Sequence, residues 1–543
     1  MRELLLSCIF VSVTLTKRIG HAWNRTTVAE SQKKPKAGSA LYSNSSPQQM
    51  FFEKDLETMF RLCFQVVMIV VTSLLTAGDV IGQIRRPNIL LAISDDQSWI
   101  HAGAYGNKNV KTPAFDRVAR EGVLFTHAFC SAPSCTPSRA ALLTGQDFWR
   151  LEQGANLMGT LPKKFPVYPD LLETAGYQIG YTGKGWAPGD VRAGGRTRNP
   201  AGPLFNHRQV GYVTAFGEFL KSKPKDKPFC FWFGSSDPHR PYVKGSGKQS
   251  GKNLADISVP DFLPDTPEVR SDIADYLFEI ERFDRDLGLM LEMLKKEGQL
   301  ENTLVVVTSD NGMPFPRAKT SLYDHGTRMP LAVRWPSKIP AGRIVVDFVN
   351  LTDLAPTFLE AAGVDIPSEM TGHSLLSMLT SKKSGDVELL RDKVVFGRER
   401  HGWNRDPNIG YPCRAIRTRE YLYIRNFKPD RFPGYDIDGG PTLDYLMQHA
   451  SENSVKPLHR LWFQLRPGEE LYDLRQDPYQ MQNLYSNPEY TKTREELRTG
   501  LETILRQGGD PRIVGNGDVF DTYRYFSRPT GNWGKLRTLE AVK

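Results

Sequence analysis

Cysteine is scarce in this chain, and its scarcity excludes two classes of protein. The six that occur, Cys8, Cys63, Cys130, Cys135, Cys230 and Cys413, are too few for a disulfide framework in 543 residues, and no C-x-x-C pair suggests structural zinc or thiol redox chemistry. Long apolar runs are missing too. Neither of the two candidate stretches, Leu4 to Leu15 and Leu62 to Leu75, reaches the roughly twenty residues that span a bilayer comfortably, so stable membrane insertion is not expected. A dominant charge is lacking as well. The formal net charge is +9, but 11 Lys/Arg against 6 Asp/Glu fall within the first 86 residues, which leaves only +4 for the remainder. The basic balance is mostly a property of the leader, and a nucleic-acid partner is not implied. No internal repeat is present.

What remains is the composition of a soluble globular protein, with 40% hydrophobic and 24% charged residues and nine tryptophans. The length exceeds that at which single cores stop growing, so one large domain and a smaller one are expected. Residues 1–86 read as a leader, signal-like or disordered. Of its two apolar stretches the second has the better signal-peptide anatomy: Met59-Phe60-Arg61, an apolar core, then Ala77-Gly78. Translation is expected to begin near Met59, with a signal-like segment at residues 59–78 and export to a periplasm or the exterior.

The pattern changes at Pro87. Asn88 to Ser94 is a continuous apolar run of strand length that ends on Asp95-Asp96, as expected of a strand covered on both faces. Helical and extended segments then alternate: a helix over Thr112 to Glu121, an extended Gly122 to Phe129, a helix over Ser138 to Leu143, another over Asp170 to Ala175, strands at Gln178 to Thr182 and Phe229 to Gly234, a long helix from Ser271 to Glu297 and a strand at Thr303 to Ser309. This rhythm predicts an α/β domain over 87–384, with a large, mostly parallel sheet flanked by helices. After about Ser384 shorter strands at Val394 to Gly397, Cys413 to Thr418 and Tyr421 to Asn426, with a helix over Tyr490 to Arg506, predict a smaller α+β domain over 385–543 carrying an antiparallel sheet. Phe432 to Pro441, rich in Gly and Pro, reads as a surface loop. Asp95-Asp96, Lys184, His239 and Asp310-Asn311 each follow a predicted strand, and open α/β sheets bind ligands at the carboxyl ends of their strands. These residues should therefore meet in one cleft.

The most specific motif is Cys135-Thr136-Pro137-Ser138-Arg139, followed by Leu143-Thr144-Gly145. It resembles the maturation signal of the type I sulfatases, in which the cysteine of C-x-P-S-R is oxidised to formylglycine before folding is complete. The resemblance runs from about Pro87 to about Arg506 and implies an alkaline-phosphatase-like fold. It leans towards the heparan N-sulfatase branch through Met313-Pro314-Phe315-Pro316, Asp237-Pro238-His239-Arg240 and Tyr411-Pro412-Cys413-Arg414-Ala415. It also implies the chemistry. The hydrated aldehyde carries two hydroxyls, one that attacks sulfur and one that collapses to expel sulfate, a special form of covalent catalysis.

The same resemblance assigns the site. Asp95, Asp96, Asp310 and Asn311, with residue 135, would bind Ca2+ or alternatively Mg2+, which prefer hard oxygen ligands. Arg139 would stabilise the hydrate, Lys184 and Lys319 would hold sulfate oxygens, and His239 would protonate the leaving group or contact sulfate. Taken singly, Asp-Asp after a strand is often a helix cap and Asp-Asn-Gly a turn. One position departs from the family: Trp186 stands where many sulfatases carry a second histidine. His325 is a conceivable substitute, though packing is its plainer role. The substrate expected is a sulfated carbohydrate, cleaved at an O-sulfate or a sulfamate, and the formylglycine-generating enzyme is the maturation partner. A homodimer stays open. Two alternatives also stay open: a phosphonate or phosphate monoester hydrolase on the same scaffold, and an inactive homologue that binds sulfated glycans.

Overall fold

The computed structural model describes residues 62, 65 and 68 and residues 86–527, apart from 403, 404, 406 and 434–437. The leader and its signal-like segment lie outside the described residues, those three positions excepted. Among the described residues no helix is long and apolar enough to cross a membrane.

Seven strands form the main sheet: β1 (Asn88–Ser94), β2 (Val123–Phe129), β3 (Gln178–Gly183), β4 (Phe229–Gly234), β5 (Thr303–Ser309), β6 (Arg328–Arg334) and β7 (Arg343–Asn350). Their order is β3-β4-β1-β5-β6-β2-β7. Only β6 runs against the others, so the sheet is mostly parallel, as the βα rhythm predicts. Burial explains the apolar runs. Every residue of β1, β4 and β5 is buried, and successive side chains of a strand enter opposite cores. Ile89, Leu91 and Ile93 join one apolar cluster, with Ala140 to Leu143 of the helix Cys135–Thr144 and with Phe358 and Leu359 of the helix Leu354–Ala361. Leu90 and Ala92 join another on the opposite face, with Phe216, Phe219, Phe283, Leu287 and Leu294.

The long helix Pro267–Lys296 covers that second face. Its start is set by Thr266, whose side chain accepts from the Val269 N–H, and by Pro267 in the first turn. Val269, Ile273, Leu277, Ile280, Phe283, Leu287, Leu291 and Leu294 line its buried side, at the spacing of a helix with one apolar stripe.

A second sheet is antiparallel, in the order β11-β10-β9-β8, from β8 (Lys393–Arg398), β9 (Cys413–Thr418), β10 (Tyr421–Asn426) and β11 (Glu469–Asp473). The helix Thr491–Gln507 packs Leu497, Leu501 and Leu505 into the same apolar cluster as Ile416 and Tyr423 of this sheet. Phe129 of β2 stacks on Phe396 of β8 with centroids 5.6 Å apart. Arg417 of β9 sends Nε and a terminal nitrogen to the two oxygens of Asp324, each at 2.9 Å, just before β6. Ring stacking and a buried ion pair thus join the sheets, and residues Arg85–Lys543 form one compact unit.

Candidate active site

The six parallel strands end on one edge of the sheet, and every sequence-predicted site residue lies there. Asp95 and Asp96 follow β1, Asp310 and Asn311 follow β5, Lys184 follows β3, and the turn after β4 carries His239. Cys135 opens the buried helix Cys135–Thr144, which Ser134 enters in an extended conformation and Gly145 leaves at φ 62°. The positive end of that helix therefore points at residue 135. Asp96 adopts φ 73°, a left-handed conformation that costs a non-glycine residue about 1–2 kcal/mol. Its N–H gains a bond to Asp310 Oδ1 at 3.1 Å. Gly183 also has a reason to lack a side chain: a Cβ there would lie 1.9 Å from the Gly234 carbonyl oxygen. The close approach of β3 and β4 sets the course of the backbone into Lys184.

The side chains converge around the Cys135 thiol. Its Sγ lies 3.6 Å from Asp95 Oδ1 and 3.9 Å from Asp96 Oδ1, and ligand atoms of Asp95, Asp96, Cys135 and Asp310 all fall within 4.8 Å of one another. All four are buried. Asn311 donates Nδ2 to Asp96 Oδ1 at 2.7 Å, while its Oδ1 is buried with no hydrogen-bond partner. A buried carbonyl oxygen left without a donor beside three carboxylates is the arrangement of donors that an oxygen-seeking cation completes.

Cations surround this cluster. Arg139, fully buried, lies one turn beyond Cys135. It donates Nε to Asp310 Oδ2 at 2.7 Å and a terminal nitrogen to the Lys184 carbonyl at 2.7 Å, and its other terminal nitrogen is 3.5 Å from Asp95. Lys184 Nζ bonds both oxygens of Asp95, at 2.8 and 2.6 Å. Lys319 Nζ bonds Asp96 Oδ2 at 2.8 Å and lies 3.3 Å from His239 Nε2. Burial tends to raise the Asp95 pKa, but Lys184, His239, Arg139 and Lys319 overcome it and hold the carboxylate well below its ordinary range. For the Cys135 thiol, burial raises the pKa far above its ordinary value despite Lys184, with Asp310 and Asp95 adding to the rise. As a thiol, residue 135 stays protonated and is a poor nucleophile.

His239 Nδ1 lies 2.6 Å from the Arg240 carbonyl, which can only accept. That nitrogen carries a proton, and Nε2 faces Lys319 and, at 3.8 Å, Asp96. A cavity of about 380 Å3 opens here, lined by Asp95, Lys184, Asp237, His239, Glu279 and Arg282 among others.

Trp186 does not face this chemistry. It is 1% exposed, is not among the residues that line the cavity, and belongs to the apolar cluster of Ile89, Leu91 and Ala140. His325 is a packing residue, buried against the rings of Trp99, Phe262 and Tyr479, and burial pushes its pKa down to about 4. Cys130 is likewise buried in the apolar core. Two participants were not legible in the sequence. Asp438 Oδ2 lies 2.5 Å from Lys319 Nζ and 3.6 Å from His239 Nε2. His401 Nδ1 lies 2.7 Å from Ser134 Oγ, just before the helix Cys135–Thr144. Both come from the second half of the chain, in segments without a motif.

Comparison with known proteins identifies the family. The sulfatase family's sequence model matches residues 87–364, and that of the C-terminal region of N-sulphoglucosamine sulphohydrolase matches residues 317–467. An ulvan-active sulfatase of Formosa agariphila is 31% identical over 431 residues, covering 78% of this chain and 81% of that protein. The human N-sulphoglucosamine sulphohydrolase is 31% identical over 490 residues, covering 80% of this chain and 93% of its own. A solved structure in complex with its substrate, D-glucosamine-2-N,6-O-disulfate, aligns with a TM-score of 0.59 at 22% identity, covering 80% of this chain and 99% of that one. At that identity it speaks for the fold alone.

Proposed function

This chain belongs to the sulfatase family and is a sulfuric ester hydrolase, and we propose that it desulfates an amino sugar of a sulfated glycan, at a sulfamate or a ring O-sulfate, with formylglycine formed from Cys135. The observation that carries the proposal is the convergence of Cys135 with three buried carboxylates, Asn311 and three cationic side chains at one sheet edge. The lean towards the sulfamate rests on the match of residues 317–467 to the sulphohydrolase C-terminal region.

Asp95, Asp96, Asp310 and Asn311, with residue 135, fit Ca2+ or Mg2+ through their hard oxygens and the unpartnered Asn311 Oδ1. Bound there, the cation would supply positive charge to draw together two electron-rich groups. Formylglycine at 135 would supply the attacking hydroxyl and a second hydroxyl through which sulfate leaves.

The remaining steps belong to this chain's own side chains. Asp95, Asp96, Asp310 and Asp438 bring four negative charges, and Arg139, Lys184 and Lys319 bring three positive ones. The site is therefore one negative charge in excess, and a divalent cation turns it to a single positive charge, the complement of a sulfate monoester. Lys184 and Lys319, held by Asp95 and Asp96 respectively, flank the cluster and aim donors at sulfate oxygens from two sides. Arg139, one turn along the helix, fixes Asp310 and orients residue 135. His239 holds its Nδ1 proton on the Arg240 carbonyl, so Nε2 is the atom that exchanges a proton with the leaving group.

Two measurements test this. Peptide mass spectrometry of protein made with its maturation enzyme should find residue 135 oxidised, and sulfate release should be greater from N-sulfoglucosamine than from glucosamine 6-sulfate. Activity from a preparation whose Cys135 is entirely thiol, or release of phosphate from monoesters with none of sulfate, would overturn the proposal.

A further inference from the structure

Asp438 stands apart from the other carboxylates of the site. Asp95, Asp96 and Asp310 are at most 2% exposed, whereas the Asp438 side chain is 35% exposed. Its Oδ2 faces Lys319 and His239, and its Oδ1 makes no hydrogen bond with any described residue. A rim carboxylate thus presents one free acceptor next to the groups that would hold sulfate.

The position is built rather than incidental. Arg240, which directly follows His239, sends its two terminal nitrogens to the two oxygens of Asp272, each at 2.7 Å, with both side chains buried. Asp272 Oδ2 in turn accepts from the Thr442 hydroxyl at 2.6 Å and the Thr442 N–H at 3.2 Å. Between Asp438 and Thr442, Gly440 lies so close to the same guanidinium that a Cβ would come within 2.4 Å of it. One clamp therefore registers Asp438 against His239. Lys319 Nζ, between Asp96 and Asp438, already supplies the positive charge that these two acids share, so a second cation is not needed to explain their approach.

A carboxylate repels sulfate oxygens, which carry charge and no proton. It gains energy only from a donor, and the donors of an amino sugar, its ring O–H groups and its N–H, lie a few bonds from the sulfated atom. Resting on the sulfatase reading above, we propose that Asp438 is a specificity-determining residue whose free oxygen accepts a hydrogen bond from a sugar O–H or N–H adjacent to the scissile sulfate.

The test compares Asp438→Asn and Asp438→Ala with the wild type on two probes, N-sulfoglucosamine and 4-nitrophenyl sulfate, the second having no donor beside its sulfate. The ratio of kcat/KM for the sugar to that for the aryl ester should fall about tenfold or more in both variants, the loss expected for a hydrogen bond to a charged acceptor. A readout free of turnover accompanies it: in a Cys135→Ala background, the Kd for N-sulfoglucosamine should weaken by a similar factor on adding Asp438→Asn. An unchanged ratio, through equal losses on both probes or none on either, would overturn the assignment while leaving the sulfatase reading intact. Wild-type protein that releases sulfate from neither probe would sink both.

Discussion

Replacing Asp95 by Asn tests the electrostatics of the site without changing its shape. Asp95 is 2% exposed, accepts Lys184 Nζ on both oxygens and lies 3.5 Å from Arg139. Its carboxyl is held below the ordinary range despite burial, through Lys184, His239, Arg139 and Lys319. A depressed carboxylate contributes stability above its unfolded pKa and loses it as the pH falls, so at pH 7 the whole contribution is present. Removing one partner of a buried ion pair costs about 3–5 kcal/mol. The Lys184 side chain is 17% exposed and can turn part of its charge to water, so the low end, about 3 kcal/mol, applies. Unfolding entropy of about 2.1 cal/mol/K per residue gives roughly 0.9 kcal/mol/K for a unit of this size, and hence a Tm about 3 °C lower in chelator. At the proposed cation site, Ca2+ at about one hundred times its Kd would add about 2.7 kcal/mol to the wild type. The variant, short of a ligand, gains little, and the gap widens to about 6 °C. Differential scanning calorimetry at pH 7 with EDTA and with Ca2+ measures both gaps. A variant that melts with the wild type in EDTA, or that gains the same shift from Ca2+, would refute the reasoning.

Three further outcomes follow from named contacts. Burial works to raise the Asp324 pKa, but Arg417 overcomes it and the carboxyl titrates at about 2 against an ordinary 3.8. About 2.5 kcal/mol of stability is therefore complete above about pH 5 and lost as the pH falls through about 2. Asp324→Asn should flatten that decline in denaturant titrations, and an unaltered acid limb would count against it. Cys135→Ala should abolish sulfate release while Tm stays within about 2 °C of the unoxidised wild type, since a small buried side chain replaces another; measurable turnover would exclude residue 135 as the nucleophile. Trp186→His empties much of a fully buried indole site, so stability should fall by about 3–4 kcal/mol. Because the ring lies in the core rather than in the cavity, kcat should not rise, and a faster enzyme would mean that position 186 reaches the leaving group.

The main sheet was legible because its central strands are buried on both faces. β1, β4 and β5 leave unbroken apolar runs, and the polar residues after them fall at one edge by topology alone. β6 and β7 escaped notice for the opposite reason. Arg328–Arg334 carries Pro330 at its third position, and Arg343–Asn350 mixes buried with exposed positions. The helix Cys135–Thr144 starts three residues before its sequence pattern suggests, because Pro137 is tolerated in a first turn. The metal-ligand candidates and the cations could be named in advance through the resemblance to sulfatases, and each sits in a local stretch that carries its motif: a strand end, a helix turn, a short loop. Asp438 could not be. Its approach to Lys319 goes with a relay through three segments, in which Arg240 clamps Asp272 and Asp272 holds Thr442, and no spacing reveals it. The same distinction separates chemistry from selectivity in this fold. The residues proposed to act on sulfate sit on the sheet edge, whereas the group proposed to inspect the sugar comes from a distant loop and depends on packing to arrive.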